Sequence, residues 1–175
     1  MKKRKVNIRR ATVTLSTVAI LSAMLVVISM YCTIKTEAIN ITLTFIPIVI
    51  AARLYGALGA AAVAGLGDII GWIFHPVGAL YPPITITSMI VGIIFGLFLK
   101  NSISFTRILI PVLITQLIIS AFVTPLWLSL LYNTPYIDYL LVRIPQILIM
   151  TGVELILIPV ILNAIERLKI AKVLT

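Results

Sequence analysis

Acidic and aromatic side chains lie inside one long apolar run of the sequence and are its first candidates for chemistry. Asp68 falls in a stretch that is otherwise rich in glycine, alanine and isoleucine. An ionisable group inside a membrane is energetically costly, so such a residue is by default a candidate for a functional role. Trp72 and His75 follow at the fourth and seventh positions after Asp68, which predicts that all three share one helix face.

Two further apolar runs each carry a polar stripe. Arg143 and Glu154 are eleven residues apart, or three helical turns, so Glu154 would share the face of Arg143 about 16 Å deeper. Gln146 flanks that stripe, and Gln116 and Trp127 are also eleven residues apart on the preceding run. Together the three stripes predict a pocket open to the outside that offers an acid, a base, amides and indoles.

Such a pocket suits a flat, polar and partly anionic molecule, because indoles stack on planar groups and arginine binds carboxylates through two parallel hydrogen bonds. The same residues also have structural interpretations. Asp68 could pair with Arg143, and Glu154 could be protonated and hydrogen-bonded to the neighbouring helix. Arg143 could reach the outer head groups, Trp72 and Trp127 could lie in the interfacial aromatic belt, and His75 could be an ordinary loop residue.

The composition excludes a soluble domain. Of the 175 residues 61% are hydrophobic and only 11% are charged, and the mean hydropathy is +1.20. Soluble domains average about 25% charged residues, so lipid must be the outer solvent here. Spans of about 20 residues would use nearly the whole chain and leave no room for an ATPase domain. Energy for any transport must then come from an ion gradient or a partner protein.

Nothing in the sequence predicts catalysis. It contains no nucleophile–base pair, no phosphate-binding glycine loop and no metal-ligand cluster, and it has one cysteine and one histidine. We therefore expect a protein that is not an enzyme and that holds no metal or cofactor. The apolar runs predict an all-α integral membrane protein, a single domain of six transmembrane helices over residues 11–33, 39–54, 56–74, 84–100, 106–132 and 138–167.

The basic residues orient these helices. The net charge is +9, and of the 14 Lys and Arg residues only Lys35 and Arg143 fall in the outer half of the predicted map. Cytoplasmic loops carry the excess of Lys and Arg in membrane proteins, so both termini are predicted to be cytoplasmic. The same rule explains the charge without nucleic acid, and we expect a multi-pass protein of the cell membrane.

Small residues recur at four-residue spacing, which lets helix backbones approach closely. Gly92 and Gly96 share one such face, and we expect it to pack inside the helix bundle. Ala19 and Ala23 form a similar pair on the first helix. That pair could pack internally or form a docking face for a partner.

Several blocks of residues resemble the S components of energy-coupling factor (ECF) vitamin transporters, and most of all the folate-specific members. The most specific block is Gly-Leu-Gly-Asp-Ile-Ile-Gly, followed by a loop rich in glycine and proline. The similarity covers nearly the whole chain in order, and its carrying residues are 45–48, 54–56, 65–71, 74–82, 92–98, 126–128, Arg143 and Met150.

The resemblance implies a six-helix protein that binds a vitamin near the outer face of the membrane. It further implies docking through Ala19 and Ala23 onto a membrane scaffold subunit, which works with two ATPase subunits. It assigns Trp127 and Trp72 to stacking, with Asp68 hydrogen-bonded to the amino and ring N–H edge of a pterin.

In the same interpretation Arg143 holds the carboxylates, and the depth and charge of Lys35 add it as a second cation. The loop from His75 to Pro83 would close over the ligand, because its glycine and prolines suit a shaped lid. Gln146 stands where folate-specific members often have a lysine, which removes one cation from the tail site. Other cargoes therefore stay open, namely pantothenate, thiamine, riboflavin or a queuosine precursor. A non-transporting membrane scaffold or assembly protein and an ion-coupled carrier are the alternatives outside the family.

Overall fold

The computed structural model describes residues 2–35, 40–74, 81–101, 104–133 and 135–167. Over these residues the chain is helical except for one short hairpin. The elements are α1 (Lys2–Tyr31), β1 (Thr33–Lys35), β2 (Asn40–Thr42), α2 (Phe45–Phe74), α3 (Pro82–Leu99), α4 (Phe105–Leu113), a π-helix (Ile114–Val123), α5 (Thr124–Tyr132) and α6 (Tyr136–Arg167).

Five helical stretches among the described residues are long and apolar enough to cross a membrane. They are Ala11–Tyr31, Phe45–Phe74, Pro82–Leu99, Phe105–Tyr132 and Tyr136–Arg167. Their outward faces expose large apolar side chains such as Leu58, Leu148 and Val160, which water would not tolerate in such number and lipid does. The prediction of a helical membrane protein is confirmed at this level.

The helix boundaries differ from the prediction at the start of the second apolar run. Helix α2 begins at Phe45 and not at residue 39, because Asn40–Thr42 pairs in antiparallel register with Thr33–Lys35, with Thr33 opposite Thr42. The predicted helices 39–54 and 56–74 are joined in one element, which is broken at Gly56. Gly56 has φ of 75°, a conformation that glycine adopts without the clash that a side chain would cause.

Close contact between α2 and α3 organises the bundle. A Cβ added at Gly92 would lie 2.6 Å from the carbonyl oxygen of Ala60, and one added at Gly96 would collide with the backbone of Ala57. Both glycines are buried and lie one helical turn apart. The predicted internal packing of this face is thus confirmed, and dispersion contacts between the backbones replace side-chain interdigitation.

Arg53 connects α2 to the C-terminal ends of α3 and α6. Its guanidinium donates hydrogen bonds to the carbonyl oxygens of Leu99 (3.1 Å) and Lys100 (2.8 Å), which the end of α3 leaves without helical partners. It also forms an ion pair of 2.7 Å with Glu166 near the end of α6. One side chain therefore caps α3 and holds α2 and α6 together.

Replacing Gly92 with alanine should destabilise the protein, because the added methyl group meets backbone that cannot move aside. We expect a cost of about 1–3 kcal/mol, seen as a lower midpoint for heat-induced loss of monodisperse protein in detergent. Gly152→Ala is the matched control, since an added Cβ there has nothing within 4 Å. Equal midpoints for the two variants would show that the α2–α3 contact is not as tight as described.

Candidate ligand-binding site

A cavity of about 270 Å³ lies between the start of α2, α3, the π-helix, α5 and α6. Five segments of the chain contribute hydroxyl groups to its lining, namely β2, the residue before α2, α3, the π-helix and α5. These residues are Thr42, Thr44, Thr87, Ser88, Thr115, Ser120 and Thr124. Apolar walls with a small number of placed polar groups are typical of sites for small organic molecules.

The aromatic side of the cavity is held by a chain of hydrogen bonds. The indole N–H of Trp127 donates to the hydroxyl oxygen of Thr87 at 3.1 Å, and that hydroxyl in turn donates to the carbonyl oxygen of Pro83 at 2.8 Å. The ring of Tyr81 meets the indole edge-on, with ring centres 6.1 Å apart. These contacts fix the plane of the indole, which leaves it as a preformed stacking surface.

The acidic part of the cavity is a carboxylate held by an amide. The side-chain nitrogen of Gln116 donates to Oε1 of Glu154 at 2.7 Å. Glu154 is only 4% exposed, and its Oε2 atom has no hydrogen-bond partner among the described residues. Polar atoms in protein interiors are nearly always hydrogen-bonded, so this oxygen is a candidate contact for a bound molecule.

The π-helix determines which side chains of its segment face the cavity. Its i→i+5 hydrogen bonding lets the N–H and the hydroxyl of Thr124 both donate to the carbonyl oxygen of Ile119. Thr115, Gln116, Ile119, Ser120 and Thr124 all line the cavity as a result. π-Helical turns inside α-helices are frequent at functional sites, and this one adds residues to the wall that α-helical spacing would not bring together.

The structure brings together three of the predicted binding residues, since Trp127, Gln146 and Glu154 line the cavity. Trp72 and Arg143 are half-buried and are not among its lining residues.

Asp68 also lies outside the lining, where its Oδ2 accepts a hydrogen bond of 2.7 Å from the hydroxyl of Thr85 on α3. Its predicted pairing with Arg143 is not among the ion pairs of the described residues. The backbone of Lys35 belongs to β1, and His75 falls outside the described residues.

The predicted docking residues are at the surface. Ala19 and Ala23 are exposed on α1, while Val18, Ser22 and Val26 on the same helix are buried. Neither alanine is therefore packed inside the part of the bundle that the structure describes.

Sequence reasoning missed the hydroxyl groups of β2 and α3. Thr42 and Thr44 line the cavity because the hairpin brings them beside α2, and Thr87 and Ser88 do so because α3 packs closely on α2. Threonine and serine are common in membrane helices, where they hydrogen-bond to their own backbone as Thr87 and Ser88 also do. Nothing in their spacing distinguishes a ligand contact from that local role.

The arrangement supports binding and not bond-breaking. Glu154 is the one ionisable group among the described lining residues, and no group of three or more His, Cys, Asp or Glu that could hold a metal occurs in the part of the chain that the structure describes. A stacking surface, a ring of hydroxyl groups and an isolated acid can orient a heterocycle. They offer no nucleophile paired with a base.

The Gln116–Glu154 pair makes a prediction for stability. Replacing Gln116 with leucine removes the donor to Oε1, which leaves both oxygens of a buried carboxylate unpaired and should cost about 1–3 kcal/mol. The double variant Gln116→Leu with Glu154→Leu should recover most of that loss, because apolar replacement of both partners is close to neutral. Thermal midpoints in detergent measure both. A double variant less stable than Gln116→Leu alone would contradict the interpretation.

Comparison with known proteins gives one family. The model of the family described as "ECF-type riboflavin transporter, S component" matches residues 9–167. The folate transporter FolT of Clostridium novyi (strain NT) is 27% identical over 146 residues, which cover 83% of this chain and 85% of that relative. FolT of Leuconostoc mesenteroides subsp. mesenteroides is 27% identical over 106 residues, which cover 59% of this chain and 57% of that relative.

A solved structure shows the same fold. The crystal structure of FolT bound with folic acid matches with a TM-score of 0.74 and 26% sequence identity, over 81% of this chain and 86% of that one. The resemblance found in the sequence is confirmed at the level of the family. Because the family match extends over almost the whole length, from residue 9 to residue 167, this chain belongs to the S components of ECF-type transporters.

Proposed function

We propose that this protein is the substrate-binding S component of an ATP-dependent ECF importer, and that its cargo is folate or a related pterin. The observation that carries the cargo is the likeness in fold and sequence to FolT, including a FolT structure that contains folic acid. A cavity with a fixed indole and a ring of hydroxyl groups supports the same conclusion, because a pterin is flat and carries several hydrogen-bonding groups.

Riboflavin is the second candidate, since the matching family model carries the name of the riboflavin transporter. We favour folate because both relatives named above and the solved structure are FolT proteins. A family model spans members with different cargoes, whereas individual relatives report a narrower neighbourhood of sequence.

The proposed position of the ligand follows from the lining. The cavity of about 270 Å³ is at the small end of the range of ligand pockets, which run from about 300 to 1,000 Å³. We place the heterocycle inside it against Trp127 and let the glutamate tail extend toward the start of α6. Arg143 lies there, one turn before the lining residue Gln146, where its guanidinium would hold a carboxylate.

The other predicted contacts remain part of the proposal. Trp72 and Asp68 lie on α2 near its end, and Asp68 is joined to the start of α3 through Thr85. Lys35 is the last residue of β1, and His75 follows the last residue of α2 in the sequence. All four belong to the mouth of the site in our proposal, with Lys35 assisting Arg143 in binding carboxylates.

We further propose one domain of six membrane helices, with both termini in the cytoplasm of a bacterial cell. The break at Gly56 supports the sixth helix, because it separates the two halves of α2 that we propose as distinct helices. The excess of Lys and Arg in alternate connections supports the orientation. The exposed alanines of α1 then form the contact with the ECF scaffold subunit, and two ATPase subunits supply the energy.

The proposed cargo predicts tight, saturable binding of folate to the purified protein. Trp72 and Trp127 are the two tryptophans of the chain, so each single-tryptophan variant reports from one place. Because Trp127 lines the cavity, folate should quench the fluorescence of Trp72→Phe protein strongly and that of Trp127→Phe protein much less.

Riboflavin and pantothenate, titrated in parallel, provide the comparison of cargoes. Tighter binding of riboflavin than of folate would keep the family and overturn the cargo. Binding of none of these three vitamins would overturn folate as the cargo. Extension of the panel to thiamine and a queuosine precursor then separates another cargo from a non-transporting scaffold, which would bind none.

The second prediction concerns docking. Ala23→Trp places a large ring on the exposed face of α1 and should block close contact with a partner helix, while leaving folate affinity within about twofold of wild type. The residue Met24 is also exposed but lies about 100° around the helix, so Met24→Trp is the matched control. The measurements are folate uptake and co-purification of the ECF subunits. Normal uptake by Ala23→Trp would exclude this face.

A further inference from the structure

Among the described lining residues, Oε2 of Glu154 is the buried side-chain oxygen that has no hydrogen-bond partner. It is buried, it lies on a wall of the site, and its companion Oε1 is already bonded to Gln116. Leaving a buried acceptor unpaired is costly, so its presence requires an explanation. A hydrogen bond from a bound ligand would provide that explanation.

The described residues do not pair with this oxygen. No lysine or arginine occurs among the described residues that line the cavity, so Glu154 is not half of a structural salt bridge there. Gln116 uses one N–H of its amide on Oε1, and the lining hydroxyls of Thr87, Ser88 and Thr115 donate to backbone carbonyl oxygens within one turn of their own helical segments. A donor from a bound molecule would complete the pairing of Oε2.

We infer that Glu154, held in place by Gln116, accepts the two adjacent N–H donors of a 2-amino-4-oxopyrimidine ring, the edge that a pterin presents. This deepens the proposed function and rests on it. An exocyclic amine beside a ring N–H offers two parallel donors at the spacing of the two carboxylate oxygens, which is the geometry that makes arginine–carboxylate pairs strong. Sequence resemblance assigned this contact to Asp68, which instead bonds to Thr85 outside the cavity lining.

The same carboxylate selects against riboflavin. The corresponding edge of its ring system has one N–H between two carbonyl oxygens, so a carboxylate would gain one donor and face an acceptor. A site built to accept hydrogen bonds from the correct ligand rejects an analogue that leaves its buried group unpaired. Glu154 thus acts as a specificity-determining residue.

The position of Glu154 also sets the direction of the ligand. Its unpaired Oε2 deep in the cavity suits the donor-bearing heterocycle and not the acceptor-only carboxylates of the folate tail. Arg143 lies eleven residues earlier on α6, about 16 Å toward the start of the helix. The pterin therefore binds inward beside Glu154 and the glutamate tail points toward Arg143.

The test compares folate with a folate analogue in which a methyl group replaces the 2-amino group. Affinities are measured by isothermal titration on the purified full chain for wild type, Glu154→Gln and Asp68→Asn. Wild type should bind folate about 10- to 100-fold more tightly than the analogue, the range expected for one hydrogen bond to a charged group. In Glu154→Gln the ratio should fall severalfold, because the amide has one acceptor oxygen in place of two and can no longer accept both donors of the ligand.

The matched control is Glu166→Gln, the same substitution twelve residues later on α6, where Glu166 pairs with Arg53 away from the cavity lining. It should keep the wild-type ratio and folate affinity. Riboflavin provides a second readout, since Glu154→Gln should weaken folate without weakening riboflavin.

The outcomes separate the inference from the proposed function. If Glu154→Gln keeps the wild-type ratio of folate affinity to analogue affinity, the role of Glu154 is overturned and folate remains the cargo. Loss of that ratio in Asp68→Asn would then assign the contact to Asp68. Absence of folate binding to wild type overturns both. If Glu154→Gln does not yield folded protein, the wild-type titrations still decide, because equal affinity for folate and the analogue would contradict the inference.

Discussion

The backbone contact between α2 and α3 is the constraint on which the rest of the structure depends. Gly92 and Gly96 press against the alanines of α2 so closely that no side chain fits between them. This contact sets the height and rotation of α3, and hence the position of Thr87, whose hydroxyl receives the indole N–H of Trp127. A membrane bundle gains little from burying apolar surface, because lipid is equally apolar, so close packing of this kind must hold the helices.

Sequence reasoning reached the helical membrane class and the family but not the way that the polar stripes meet. The length of each apolar run and the alternation of basic loops depend on lipid alone, and so could be recognised without knowing any contact. The outline of the cavity depends on the hairpin before α2 and on the π-helix, both of which arise from tertiary packing. Thr42 and Gln116 line the same cavity, which the periodicity of a single segment cannot predict.

The predicted site residues fall into two groups, those that line the cavity and those that do not. Trp127, Gln146 and Glu154 lie on segments of α5 and α6 that are packed against other helices, and they line the cavity. Asp68, Trp72 and Arg143 were identified by the same rule, which ranks a residue by the cost of placing it in lipid. That rule cannot distinguish a group that faces the cavity from one satisfied at its border, as the bond between Asp68 and Thr85 shows.

The site and the proposed docking face are linked through rigid packing and not through a flexible connection. Leu25 of α1 fills the space over Gly67 of α2, and the same helix α2 packs through its alanines on α3, which carries the partner of Trp127. A force applied at Ala19 and Ala23 would therefore move α1, α2 and α3 together. The cavity is lined by α2, α3 and α6, and Arg53 connects all three at the cytoplasmic end that we propose. Opening the bundle would therefore have to break both the α2–α3 backbone contact and the bonds of Arg53.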